Sequence, residues 1–157
     1  MDIVFLDFDG VLNSEDWSAT AADAPEGEGY WGPSSLDERA VRRLNGLVAP
    51  GVHFVVSSTW RQVHDREALE SLLKSKGFSG TILDVTPRMH RTPDGFLPVR
   101  GHEIQAWLDT HAVRAFVTLD DDSDMAHLLP HLVQTDPKLG LRDEDVARAR
   151  EMLTTAS

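Results

Sequence analysis

The segment VFLDFDGVLN, residues 4–13, decides the fold of this chain. Its apolar beginning, which continues from Ile3, is typical of a β-strand buried on both faces. An unpaired charge is costly in such a place, so the two acids at its end, Asp7 and Asp9, indicate chemistry rather than packing. Gly10 lets the backbone turn sharply after them. We therefore predict a central parallel strand that presents both carboxylates at its carboxyl end, where open α/β sheets bind ligands.

Composition excludes several classes of protein. A chain of 157 residues is expected to form one domain, residues 1–157. It has no cysteine, which excludes disulfides, thiolate zinc sites and a thiol nucleophile. No apolar run is long enough to span a bilayer and no basic segment precedes the first strand, so we expect a cytoplasmic protein without membrane contact. The net charge of −11 disfavours non-specific binding to nucleic acid.

Apolar strand patterns alternate with helical periodicity along the chain, which predicts an α/β fold with a mainly parallel sheet and helices on both faces. Further strands are expected at residues 52–56, 81–85, 115–119 and 131–135. Helices are expected at residues 35–48, starting from a capping box at Ser35, and at 65–76, 101–111, 125–129 and 143–153.

Residues 14–33 show no helical or strand period and are predicted to form a loop. The loop follows the first acids directly, so we expect it to act as a small flap over them. Its three aromatic residues, Trp17, Tyr30 and Trp31, either line a substrate pocket or pin the loop to the body of the protein.

Three predicted strands end in polar clusters. Asp7 and Asp9 end the first, Ser57 and Ser58 the second, and Asp120, Asp121 and Asp124 the fourth. Parallel connection brings these carboxyl ends to one edge of the sheet, so the clusters are expected to converge.

The clusters occur in the order of the motifs of the haloacid dehalogenase (HAD) superfamily, most of whose members are magnesium-dependent phosphohydrolases. DFDGV resembles the first motif, VVS (residues 55–57) the second and TLDDD (residues 118–122) the fourth. Together with SSTWR (residues 57–61) and RGHEIQAWLD (residues 100–109), they resemble the small phosphatase-type HAD domains of RNA-repair (Swiss Army knife) proteins. The resemblance implies a three-layer Rossmann-like core with a small flap and no large cap domain.

The third motif of that superfamily is a lysine near the start of a helix, and here the chain departs from the pattern. No lysine lies between Lys76 and Lys138. Arg100 is the best substitute, because it precedes the helix expected at residue 101. Arg88 and Arg91, in the preceding loop, are the alternatives.

The resemblance implies a role for each residue. Asp7 would attack phosphorus and form an aspartyl-phosphate, while Asp9 would protonate the leaving oxygen and later activate water. Ser57 would donate a hydrogen bond to the phosphoryl group, and Arg100 would neutralise it. Ser58 and Arg61 are expected to contact substrate, although Arg61 could instead be a surface residue.

Magnesium is the implied cofactor, because it prefers oxygen ligands. The resemblance assigns to it the Asp7 carboxylate, the Asp9 main-chain carbonyl, and either Asp120 or Asp121, with Asp124 holding metal-bound water.

These assignments predict a magnesium-dependent phosphatase whose substrate is a phosphorylated small molecule such as a nucleotide, or a nucleic-acid end. Two alternatives stay open, a phosphotransferase or mutase on the same machinery and a non-catalytic HAD-like binding module. No obligate protein partner is expected.

Overall fold

A computed structural model describes residues 1–156 of the chain, so the final residue of the predicted domain, Ser157, lies outside the described part. It contains a five-stranded sheet in which every pair of neighbouring strands is parallel. The strands are β1 (Asp2–Leu6), β2 (Val52–Val56), β3 (Ile82–Val85), β4 (Ala115–Asp120) and β5 (Leu132–Gln134). The helices are α1 (Glu15–Thr20), α2 (Glu38–Arg43), α3 (Arg66–Ser75), α4 (Arg100–Leu108) and α5 (Asp143–Thr155).

The strand order is β3-β2-β1-β4-β5, which places β1 at the centre of the sheet. The chain moves outward through β2 and β3 on one side and then crosses to β4 on the other. The switch point of this topology therefore lies between β1 and β4, at their carboxyl ends. Ligands of open α/β sheets bind at such a point.

Alternating side chains of β1 bury both faces of the sheet. Ile3 and Phe5 face a smaller core that includes Ile104 and Trp107 of α4. Val4 and Leu6 face a larger core that contains the apolar sides of α2, α3 and α5. This confirms the predicted α/β fold with a parallel sheet between helical layers, and no large cap is present in residues 1–156.

Three local predictions are wrong for identifiable reasons. Residues 14–33 begin with α1, since the Ser14 side chain accepts a hydrogen bond from the Trp17 N–H and caps it. The helix predicted at residues 35–48 starts after Asp37, which accepts from the Arg39 N–H, so the capping box at Ser35 does not form. That helix also ends early, because residues 44–47 tighten into a 3₁₀ turn.

The helix predicted at residues 125–129 is a 3₁₀ segment, Ala126–His131, which contains Pro130. Arg100 is the first residue of α4 and not the residue before it. Within residues 1–156, no helix has the length and apolar character that crossing a bilayer requires.

Gly101 makes the closest approach between α4 and the chain that follows β4. Its N–H donates to the Asp124 carbonyl oxygen at 3.0 Å, and a Cβ at this position would overlap the main chain of Met125. Only glycine therefore lets α4 pack this close to the carboxyl end of β4.

Gly101→Ala is expected to destabilise the protein by about 1–3 kcal/mol, the usual result of overpacking. Alanine is favoured over glycine by about 1 kcal/mol inside a helix, so a loss of stability would isolate the clash with Met125. Urea denaturation measures it. A variant as stable as the wild type would contradict the close approach.

Candidate active site

Asp7 and Asp120 lie side by side at the switch point of the sheet. The Asp7 N–H donates to the Leu119 carbonyl oxygen at 3.0 Å, which extends the pairing of β1 with β4 to the first acid. Both side chains are nearly enclosed, with 8% of Asp7 and 2% of Asp120 exposed. Neighbouring parallel strands thus hold two carboxylates together in a place that water hardly reaches.

Asp121 completes a group of three carboxylates. One oxygen from each of Asp7, Asp120 and Asp121 lies within 4.8 Å of the other two. Asp121 folds over Gly10, where any side chain would overlap its carboxylate. Gly10 also has a φ of +79°, in the left-handed region that favours glycine. Both the turn and the placement of Asp121 therefore require glycine at this position.

Burial sets the electrostatics of this group. It raises the pKa of Asp7 from 3.8 to about 6, although the nearby charge of Arg100 acts in the opposite direction. Burial, and next the charge of Asp7, raise the pKa of Asp120 from 3.8 to about 9. Burial also raises the pKa of Asp121. The metal-free site therefore favours protons on carboxyls that would normally be ionised.

The donor set fits a small hard cation. Mg²⁺ prefers oxygen ligands and is usually held by one or two carboxylates together with water. Asp7, Asp120 and Asp121 offer three such oxygens, and a divalent charge would relieve the repulsion that accompanies their burial.

Asp9 is held by three donors that converge on one oxygen. Its Oδ1 accepts from the Tyr30 hydroxyl at 2.6 Å, from Trp60 Nε1 at 3.1 Å and from Asn13 Nδ2 at 3.1 Å. Asn13 Oδ1 in turn accepts from the Gly10 N–H at 2.9 Å. The orientation of the Asp9 carboxylate is thus determined by the flap, by the segment after β2 and by its own loop.

The flap reaches the site through aromatic residues. Tyr30 contacts Trp31 and Trp60 with ring centroids 5.2 and 5.9 Å apart, and Trp31 contacts Trp60 at 5.4 Å. His64 Nε2 lies 2.7 Å from the Trp31 carbonyl oxygen. Burial and the hydrogen bond to Asp9 raise the pKa of Tyr30, so the phenol stays protonated. Tyr30 is 54% exposed, which leaves one side of the ring open to solvent at the mouth of the site.

Trp17 lies in α1, where its N–H is capped by Ser14. It lines a surface pocket together with Asn13 and Tyr30, the two residues that also hydrogen-bond Asp9. Tyr30 is the flap aromatic that contacts Asp9 directly.

Ser57 and Ser58 follow β2 and are both fully buried. The Ser57 N–H donates to the Leu6 carbonyl oxygen at 2.8 Å, which places this serine beside Asp7 in the sheet. Its Oγ is buried with no hydrogen-bond partner among the described residues. The Ser58 hydroxyl accepts from the Trp60 N–H at 3.3 Å. It lies close enough to Asp7 to oppose, together with Arg100, the rise that burial causes in the pKa of that carboxyl.

Arg100 is the arginine that acts on the carboxylates. Its side chain is 15% exposed, and its charge lowers the pKa of both Asp7 and Asp120. Arg88 and Arg91 are exposed in the loop before α4. The geometry therefore favours Arg100 among the three candidates, and its chemical role stays a prediction.

Arg61 lies inside the protein and not on its surface, since its side chain is 5% exposed. It donates to Thr86 Oγ1 at 2.9 Å and to Glu103 Oε1 at 2.8 Å. Asp124 belongs to the segment after β4 and lies next to the first residue of α4. Its Oδ2 accepts from the Arg100 N–H at 3.4 Å.

Sequence reasoning missed three residues that shape the site, Asn13, Trp60 and Glu103, and it missed the contact of Tyr30 with Asp9. Asn13 lies inside the quoted motif and Trp60 three residues after Ser57, so their proximity offered a signal. The one signal for Glu103 was that it follows Arg100 by three residues on a helix, a spacing at which side chains can pair. Nothing in the sequence relates Tyr30 to Asp9, because the flap between them has no periodic pattern.

Comparison with known proteins gives one result. A family model for the HAD domain in Swiss Army Knife RNA repair proteins matches residues 3–146. That span contains four of the five strands, all of β1 except Asp2, and every residue of the site. A search of curated proteins found no match.

Asp120→Asn is expected to stabilise the metal-free protein at pH 8, because it removes a buried carboxyl that binds a proton in the folded protein while the unfolded chain leaves it ionised. The folded carboxyls bind protons more tightly than the unfolded ones, so metal-free stability should fall as pH rises from about 4 towards about 9. The gain from Asp120→Asn should therefore shrink at pH 5. Denaturation in a chelator at both pH values measures it.

The same variant should lose its response to magnesium. At a hundred times its Kd, Mg²⁺ should stabilise the wild type by about 2.7 kcal/mol, and it should stabilise Asp120→Asn much less. Asp23→Asn, in the exposed part of the flap, is the control and should respond like the wild type. An equal response in all three proteins would exclude a metal site at Asp120.

Proposed function

Because the chain belongs to the family of HAD domains in Swiss Army Knife RNA repair proteins, we propose that it is a magnesium-dependent hydrolase of phosphate monoesters that acts through an aspartyl-phosphate on Asp7. The observation that carries the proposal is the convergence of Asp7, Asp120 and Asp121 within 4.8 Å at the switch point of the sheet. The superfamily uses a metal at such a group of acids, and Asp9 lies two residues from the nucleophile.

Asp7 is the nucleophile of the proposed reaction. Its carboxylate oxygen attacks phosphorus, the bond from phosphorus to the leaving oxygen breaks, and the phosphoryl group is transferred to Asp7. Enclosure by the sheet and the contact with Ser58 hold the attacking oxygen in place. Water then attacks the phosphorus of the aspartyl-phosphate, which releases inorganic phosphate and regenerates Asp7.

Asp9 moves the protons. In the first step it gives its proton to the leaving oxygen, and in the second it takes a proton from the attacking water. Oδ1 already accepts three hydrogen bonds, so Oδ2 is the oxygen available for this transfer in the described part of the chain. The donors keep that oxygen in one orientation through both steps.

Positive charge is needed around the phosphoryl group. Mg²⁺, when held by the carboxylates of Asp7, Asp120 or Asp121 and by the Asp9 carbonyl, would offset the acids and polarise the phosphoryl oxygens. Arg100 adds a second positive charge from α4, and Ser57 is the proposed hydroxyl donor. The buried Ser57 Oγ and Arg100 NH1 have no hydrogen-bond acceptor among the described residues, which supports a role in binding an anion.

Asp7→Asn should lower hydrolysis of p-nitrophenyl phosphate by more than about 10³-fold, since it removes the nucleophile.

Asp9→Asn should lower the rate of the same hydrolysis by about 10²–10⁴-fold. p-Nitrophenolate leaves without protonation, so Asp9→Asn should slow mainly the second step and accumulate the phosphorylated protein. Intact-protein mass spectrometry would detect that species. If the wild type and both variants are equally inactive in Mg²⁺ on every phosphate ester offered, the proposed function is wrong.

The proposed substrate is a nucleotide or the terminal phosphate of a polynucleotide. The family description, the missing cap and the exposed Tyr30 ring near Asp9 support this class. Phosphate release should be faster from nucleotides and from 3′- or 5′-phosphorylated oligonucleotides than from sugar phosphates. Because the protein carries a charge of −11, lengthening the oligonucleotide should raise its affinity little, and that affinity should depend only weakly on salt concentration. Equal rates with sugar phosphates would contradict this assignment.

A further inference from the structure

Glu103 connects three parts of the chain beneath the site. Its Oε1 accepts from Arg61 NH2 at 2.8 Å and lies 3.7 Å from Arg100 NH1. Its Oε2 accepts from the Met89 N–H at 2.9 Å. The Glu103 side chain is only 12% exposed. One buried carboxylate therefore ties the segment after β2, the loop after β3 and the first turn of α4.

Glu103 is a carboxylate that lies close to both arginines. Burial lowers the pKa of Arg61, Glu103 raises it, and the charges of Arg100 and Arg88 lower it further, so the arginines repel one another. Two guanidinium groups with one carboxylate leave a net charge of +1 next to the acids of the site. A buried arrangement of this kind is costly unless the charges are paired with good geometry.

Both arginines keep unused donors. Arg100 NH1 and Arg61 Nε are buried and have no hydrogen-bond partner within residues 1–156. Glu103 cannot satisfy Arg100 NH1, because 3.7 Å exceeds a hydrogen bond. Buried donors of a charged group normally have an acceptor, so the buried Arg100 NH1 donor suits the oxygen of an anion.

We infer that Glu103 is a positioning residue, which holds Arg61 and Arg100 side by side so that Arg100 can bind the phosphoryl group at Asp7. The inference rests on the proposed function only in taking the anion to be a phosphoryl group. Glu103 acts through the arginines and does not touch the substrate. Where the superfamily has a single lysine, this chain has an arginine, and its position depends on the ion pair with Glu103.

A purely electrostatic role predicts the opposite result. A negative charge near an anion site weakens binding, so removing it without moving the arginines would tighten binding. Glu103→Gln keeps the length of the side chain, but its amide can no longer accept from both Arg61 and the Met89 N–H. Glu103→Asp keeps the charge but is one methylene shorter.

The test measures binding of inorganic phosphate in MgCl₂ by calorimetry, at a temperature well below the Tm of each variant. Positioning predicts that Glu103→Gln and Glu103→Asp both weaken phosphate binding by about 10–100-fold, as loss of a supporting partner does elsewhere. In hydrolysis of p-nitrophenyl phosphate, kcat/KM should fall by a similar factor. Tighter binding by Glu103→Gln, or unchanged binding by both variants, would overturn the inference.

Glu70→Gln is the matched control. Glu70 Oε1 lies 3.7 Å from Arg66 NH1 and accepts from the Ile82 N–H at 2.7 Å, so its contacts resemble those of Glu103. Glu70 belongs to α3, and its side chain contacts the amino end of β3, away from Asp7 and Asp120. The variant should lose stability and keep the phosphate affinity of the wild type, which separates positioning from a general loss of stability.

A double variant keeps the test decisive if the single ones fail to fold. Arg61→Met with Glu103→Met removes one charge of each sign, so the net charge of +1 stays on Arg100, and such paired replacements are often tolerated. It should fold and bind phosphate weakly, and wild-type affinity would refute the inference. If substitution of Glu103 weakens phosphate binding but the wild type hydrolyses no ester, the proposed function fails and the inference stands. If hydrolysis is normal in every Glu103 variant, the reverse holds.

Discussion

Repulsion among the buried carboxylates of Asp7, Asp120 and Asp121 is the constraint on which this structure depends. Backbone hydrogen bonds between β1 and β4 hold the first two acids together, so they cannot separate without breaking the sheet. Burial raises the pKa of all three, which shows that the fold works against their ionisation. The packing of two apolar cores offsets this cost. A divalent cation bound between the carboxylates would offset their repulsion and would stabilise the folded protein.

Two sets of polar groups surround the acids: neutral hydrogen-bond donors on the side of Asp9, and charged residues on the side of α4. Donors from three segments converge on Asp9 and keep its carboxylate in one orientation. On the other side, α4 contributes Arg100, and Glu103 ties that helix to Arg61. Charge and orientation at the site therefore come from elements far apart in sequence, and the close approach of α4 at Gly101 brings them together.

Local errors in the sequence analysis have a common cause. Ser35 and Asp37 are both good helix caps, and in the structure Asp37 is the residue that caps α2, after the buried Leu36. Residues 44–47 and 126–131 are 3₁₀, a geometry that hydrophobic periodicity does not distinguish from an α-helix over so few residues. Periodicity located the strands to within a residue or two, because burial on both faces of a sheet leaves a continuous apolar signal.

The sequence by itself determined the central strand, the parallel sheet and the meeting of Asp7 with Asp120, since parallel strands must bring their carboxyl ends to one edge. The family assignment follows from the same order of motifs. Only the tertiary structure decided that Tyr30 and Trp60 hold Asp9, that Ser58 supports Asp7 and that Glu103 pairs two arginines. These contacts join segments without a shared periodicity, and their geometry depends on how helices and loops pack against the completed sheet.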